Sequence, residues 1–235
     1  IRAATRWSAM RRRIVEAKPA PLLPARPSGA LHMIDEAAGK ARLRELGLPV
    51  PEGRLVSGNH VVAAAENLGF PVVLKMIEPH LAHTTEAGAV SVGLPDAGSV
   101  QTRLGTMRRT VHAHNPEAVT DSFLVEAMAP KPAAELILSI RSDPQFGMAL
   151  TLGSGGILTE LVGDSTTLLL PAGAAEIETA LRRLKVARLL DGYRGSKAVD
   201  IGLLANEIAD FAVAVITHVS EIAEVEINPL FVTFE

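Results

Sequence analysis

Twice in the first part of this sequence, a helix-period segment is stopped by glycine and followed by proline and a strand-like run. Asp35 can cap a helix running through Ala38, Ala41 and Leu46, which Gly47, Pro49 and Pro51 terminate. A short strand is expected at 54–56. Residues 60–68 read as a second short helix closed by Gly69, and Pro71 leads into the apolar run Val72, Val73, Leu74, which ends on Lys75. Proline cannot continue a helix, and an apolar run after it must pair with other strands to satisfy its backbone. Helix-then-strand alternation restricts the chain to a mixed fold.

The same reading continues with a strand at 90–94, a helix over about 100–112, and strands near 123–128, 135–140 and 148–152. Three strands with no helix between them predict antiparallel pairing in the second half. A glycine-rich turn, a strand near 166–170, helices over about 174–190 and 200–218, and a final strand at 225–232 complete the order. The fold class is α+β, without an internal repeat or low-complexity tract.

The net charge of -3 conceals an asymmetry. Residues 1–30 hold seven Lys or Arg against one Glu, so the remainder is distinctly acidic. Ala3, Trp7, Met10 and Ile14 fall at helical spacing, and Pro19, Pro21, Pro24 and Pro27 then form a semi-rigid linker. A domain boundary near residue 30 follows. The arginines read as a solvated helix face, and with no aromatic interleaving and an acidic remainder no nucleic acid is expected as a partner. No apolar run approaches the roughly 18 residues of a membrane span, so no membrane association is expected either. The absence of cysteine excludes disulfides and thiolate chemistry and fits a cytoplasmic setting. A chain beginning with Ile reads as a fragment or a processed product.

Four places could carry chemistry. Lys75 puts an ammonium at the mouth of a buried strand, where it could meet a phosphate, although a lysine there also reads as a snorkelling surface residue. Gly153, Ser154, Gly155 and Gly156 could turn backbone amides toward an anion or form a plain tight turn; the P-loop spacing is absent. Glu224, Glu226 and Asn228 share one face of the last strand. Glu226 and Asn228 offer neighbouring hard oxygens suited to nucleotide-bound magnesium, or belong to an amphipathic edge strand. His83 sits in a polar, glycine-bearing stretch, where a neutral imidazole can accept and pass on a phosphoryl group. Surface or hydrogen-bonding roles are the ordinary expectation for the other histidines, His112 and His114 included.

From about residue 31 to the end, the ordered segments LPVPEGRLV, LGFPVVLKMIEPHLAHTTEAGAV, FLVEAMAP, ELILSIRSDPQFGMAL, GSGGILTELVGD, LLDGYRG and EVEINPLFV resemble the ATP-grasp domain of NDP-forming acyl-CoA synthetases, related to the succinyl-CoA synthetase β subunit. The resemblance implies an ATP-grasp fold, two α/β subdomains clasping ATP, over 31–235. It places the first subdomain at about 55–122 with Lys75, and the second at about 123–235 with the glycine turn and the metal pair. Residues 1–30 resemble the tail of an upstream ligase domain.

By this resemblance Lys75 binds ATP phosphates, Gly155 and Gly156 belong to the nucleotide site, and Glu226 and Asn228 ligate Mg2+. Glu126, Ala127 and Met128 hold adenine largely through backbone groups. Glu135 is implied to contact ribose or orient Lys75, and His83 to relay phosphate. The implied reaction joins a small carboxylic acid to CoA while ATP is split to ADP and phosphate. CoA-binding and succinyl-CoA synthetase α-like ligase domains would be the partners, in an oligomer.

The sequence departs from the family pattern after His83, where Thr84 replaces a common Lys and Ala89 follows Gly88 in place of a second Gly. A further metal-ligating Asp is expected on a strand beyond Glu235. The competing expectations are a non-catalytic, nucleotide-sensing ATP-grasp remnant of the kind fused to protein acetyltransferases, and an amine-acceptor ligase. A histidine relay argues against the latter.

Overall fold

The structure is a computed structural model that describes residues 30–78, 87–117, 120–156 and 163–234. The expected basic helix and proline linker, and His83 itself, lie outside the described residues. The chain divides into two compact units, one spanning His32–Lys131 and the other holding Pro132 onward.

In the first unit, α1 (Glu36–Glu45) starts at Asp35, whose carboxylate accepts from the Ala38 N–H at 2.8 Å. The basic Arg42 and Arg44 in its last turn complement the helix dipole. There follow β1 (Gly53–Ser57), α2 (Val61–Leu68), β2 (Val72–Met76), β3 (Val90–Leu94), α3 (Ala97–His114) and β4 (Ser122–Ala127). Gly69 ends α2 at φ 83°, in the left-handed region that favours glycine. A reciprocal Asp96–Ser99 capping box begins α3 three residues before the expected start, and the helix runs on to His114.

These strands form one antiparallel sheet in the order β1-β4-β2-β3. Its alternating side chains divide cleanly between two faces. Val72, Leu74, Met76, Phe123 and Val125 enter a buried cluster with Val61, Ala65, Leu104, Met107 and Val111 from α2 and α3. Val73, Lys75, Leu124 and Glu126, at the intervening positions, belong to the opposite face.

The second unit contains β5 (Ala134–Asp143), β6 (Gly147–Ser154), β7 (Ser165–Leu169), α4 (Ala174–Leu181), α5 (Ala187–Leu190), α6 (Ile201–Thr217) and β8 (Glu224–Val232). Its sheet is antiparallel in the order β7-β6-β5-β8. Leu136, Leu138, Ile140, Leu150 and Leu152 of the sheet are fully buried, as are Ile177, Leu181, Leu190 and Val215 of the helices.

Two expectations need correction. The strand at 122–127 does not join the two that follow it: it inserts between β1 and β2, within the compact unit His32–Lys131. Antiparallel pairing of the later strands does hold. Sequence order alone cannot distinguish a strand that pairs backward from one that pairs forward. The helix expected over 174–190 is broken into α4 and α5, because the carboxylate of Asp164 accepts from the N–H groups of Lys185 and Val186 at 2.9 and 3.1 Å and fixes the bend between them. Burial works against charge on Asp164, but these bonds and the one from the Ser154 hydroxyl hold its carboxyl below the usual range.

Candidate functional site

In the first unit, Lys75 projects from β2 on the face away from α2 and α3. The register sets Lys75 opposite Leu124 and Val73 opposite Glu126, so Lys75 and Glu126 are diagonal neighbours on one face. Lys75 Nζ lies 3.0 Å from Glu126 Oε2 and also donates to Glu36 Oε1 from α1. Lys40, one helical turn after Glu36, donates to that same Glu36 oxygen at 2.8 Å and to Glu126 Oε1. Gly53 on β1 leaves room for the Glu126 stem: a Cβ there would sit 3.0 Å from Glu126 Cγ.

Burial alone works against the Lys75 ammonium, yet attraction to Glu36 and Glu126 outweighs it and raises the pKa above the ordinary lysine value. Burial likewise opposes charge on Glu36, and Lys75 and Lys40 overcome it and hold the carboxyl below its ordinary value. Lys75 is therefore a fixed cation and not a proton donor or acceptor near neutrality. Glu36 and Lys40 escaped the sequence reading because an i, i+4 acid–base pair on an exposed helix looks like ordinary helix support. No local signal joins them to a lysine on β2.

Ala127 ends β4 and Met128 follows it, but their N–H groups are already used, donating to the carbonyls of Glu52 at 2.9 Å and Pro71 at 3.1 Å. Backbone contact with a base at these residues falls to their carbonyl oxygens. The Glu126 side chain belongs to the lysines.

In the second unit, Glu135, Gly155, Gly156 and Asn228 converge. The Gly155 N–H donates to the Glu135 carbonyl at 2.8 Å, and the Gly156 N–H donates to Asn228 Oδ1 at 2.9 Å. A side chain on Gly155 would collide with the backbone of Leu136, and one on Gly156 would meet the Glu135 carboxylate. Gly156 also has φ 69°. Both positions need glycine, one for close approach of strands and the other for conformation as well.

Glu226, Asn228 and Glu224 are exposed on β8, with Val225 and Ile227 between them turned partly inward. Among the described residues no three His, Cys, Asp or Glu side chains cluster as a metal cage. The oxygens gathered here instead suit a hard cation whose remaining partners are phosphate and water. Asn228 Oδ1, oriented by Gly156, keeps a second lone pair, and Glu226 offers an exposed carboxylate one pleat away. No helix among the described residues is long and apolar enough to cross a membrane.

Residues 27–235 match the ATP-grasp domain family. The chain belongs to that family. This ATP-grasp chain is 32% identical over 198 residues to the ADP-forming 4-hydroxybutyrate–CoA ligase of Nitrosopumilus maritimus, covering 84% of itself and 28% of that ligase. It is 28% identical to the β subunit of ADP-forming acetate–CoA ligase II of Pyrococcus furiosus, covering 84% of each chain. Among solved structures, acetyl-coenzyme A synthetase 1 of Ca. Korarchaeum cryptofilum superposes with a TM-score of 0.79 at 30% identity, over 86% of this chain and 88% of that one. That structure holds coenzyme A and Ca-AMPCP. A second form of the same enzyme, with coenzyme A and Mg-AMPPCP, has a phosphohistidine segment pointing towards the nucleotide-binding site. The expected α+β ATP-grasp fold and the kinship with ADP-forming acid–CoA ligases are thus borne out.

Proposed function

We propose that this chain is the ATP-binding, phosphoryl-transfer part of an ADP-forming acid–CoA ligase. The observation that carries the proposal is the similarity across 84% of the chain to a complete β subunit of such an enzyme. In this reading, Lys75 binds ATP phosphates, and Gly155 and Gly156 line the nucleotide site beside Glu135, which takes the ribose. The end of β4 at Glu126, Ala127 and Met128 receives the adenine edge. Glu226 and Asn228 hold Mg2+, which when bound neutralises phosphate charge and fixes its geometry. The donor set fits that ion for the reasons given above.

His83 is the acceptor. Its imidazole nitrogen attacks the terminal phosphorus of ATP, a P–N bond forms as the bond to the bridging oxygen breaks, and ADP leaves. The phosphoryl group is then handed to the site where a small carboxylic acid and CoA are joined. That site belongs to CoA-binding and α-like ligase domains, supplied by the same chain or by a partner in an oligomer, in the cytoplasm.

The test uses labelled ATP with the complete enzyme, mapping the labelled residue. An acid-labile, base-stable phosphate on His83, with acyl-CoA formation lost in both His83→Ala and His83→Asn while Mg-ATP still binds, is the expected result. Full acyl-CoA formation by His83→Asn would overturn the relay. Failure of the folded chain to bind Mg-ATP at millimolar concentration would overturn nucleotide binding itself.

A further inference from the structure

Lys40, Glu36, Lys75 and Glu126 close a ring of alternating charge. Each lysine touches both carboxylates, and a single oxygen, Glu36 Oε1, accepts from both ammonium groups. The two carboxylates are not equivalent. The Glu126 side chain is 4% exposed, lies within a strand and gives one oxygen to each lysine. The Glu36 side chain is 41% exposed and stands in the first turn of α1, a helix with no buried residue. Removing Glu126 from the ring would leave two lysines, whose side chains are only 22% and 19% exposed, sharing the single Glu36 oxygen. Letting Glu36 swing into water breaks two solvent-side ion pairs, each of a kind worth about 1 kcal/mol or less.

We propose that Lys40 and Lys75 together form a two-ammonium site for a phosphate oxygen of the nucleotide, and that the Glu36 carboxylate occupies this site in the ligand-free chain and is displaced on binding. The proposal rests on the reading of Lys75 as a phosphate ligand. It adds Lys40 as a second ligand and Glu36 as an internal competitor. A phosphate oxygen can accept from two ammonium groups just as the carboxylate oxygen does, and a polyphosphate carries more charge to hold them. Glu126 stays in place throughout. It is the permanent counterion that lets two like charges remain close enough to share one oxygen.

Calorimetry on the 235-residue chain, with Mg-ATP and with base-free tripolyphosphate as separate probes, tests this. Lys40→Met is expected to weaken both probes roughly tenfold, the loss of one charge-assisted hydrogen bond. Glu36→Gln is expected to tighten both roughly threefold to tenfold, since a competing negative charge is gone. If Lys75→Met weakens binding while Lys40→Met does not, Lys40 is no ligand and the present inference falls, leaving the reading of Lys75 intact. If Glu36→Gln weakens binding, Glu36 is a strut that aims the lysines, and its role as a competitor falls. If Lys75→Met has no effect, the parent reading fails first and takes this one with it.

A second measurement on the unmodified chain guards against variants that fail to fold. Lysine acetylation mapped by mass spectrometry is expected to show that saturating Mg-ATP protects Lys40 and Lys75 to a similar degree. Protection of Lys75 alone would overturn the shared site.

Discussion

The two compact units assemble their candidate sites in opposite ways. The first arranges charged side chains on the open face of a sheet, where lysines and carboxylates satisfy one another and the solvent-side partner, Glu36, is only loosely committed. The second arranges backbone: Gly155 lies too close to Leu136 for any side chain, and the Gly156 N–H is tied to Asn228. Charge on flexible stems can be exchanged at small cost, whereas backbone approach is fixed by packing and tolerates no added atom. The difference teaches where each unit should be sensitive: the first to charge, salt and pH, the second to steric change.

The sharpest way to break this contrast is Gly155→Val. A branched side chain must push the segment just after β6 away from Leu136, so the variant should lose roughly 3 kcal/mol or more of stability, or fail to fold, in urea unfolding. A loss below about 1 kcal/mol would mean that the strand spacing is not fixed and that the contrast is wrong.

Asn228→Leu should have the next largest effect. It removes the hydrogen bond from the Gly156 N–H to Asn228 Oδ1, an exposed bond whose loss should cost about 0.5–1.5 kcal/mol. It also removes an oxygen from the proposed metal pair, so half-maximal Mg-ATP binding should require more Mg2+. Unchanged Mg2+ dependence would return Asn228 to a purely structural role.

The smallest effect concerns pH. The Glu36 carboxyl is held below its ordinary value of 4.5, so the unfolded chain takes up that proton first; its contribution is full above that value and disappears as pH falls through the lower folded value. For Lys75 the sign is reversed: the contribution is full below the ordinary value of 10.5 and is lost as pH rises through the higher folded value. Glu36→Gln should therefore flatten the acid limb of a stability–pH profile by about 1 kcal/mol or less, given its partial exposure, and leave the alkaline limb of Lys75 present but weakened. An acid limb identical to that of the unmodified chain would show that the Glu36 pairs contribute nothing measurable.

Much of the fold was legible because its signals are local. Asp35, Gly69 and the Pro71 run marked helix ends and strand starts through capping and backbone restriction alone, and the period-two pattern of Glu224, Glu226 and Asn228 matches the exposure found along β8. The bend between α4 and α5 was not legible. It depends on Asp164, more than twenty residues upstream in the chain, accepting from backbone N–H groups that a sequence pattern assigns to a continuing helix.

The sequence by itself determined the element order, the ATP-grasp kinship and the chemical types on offer: a strand-end lysine, a glycine turn, paired oxygens on the last strand. Only the tertiary structure decided that β4 threads between β1 and β2, bringing Glu126 diagonal to Lys75, and that α1 delivers Glu36 and Lys40 to the same pair. The physical reason is range. Caps, turns and periodicity are set by residues within a few positions of one another, but strand order and the meeting of charges depend on which distant surfaces bury together.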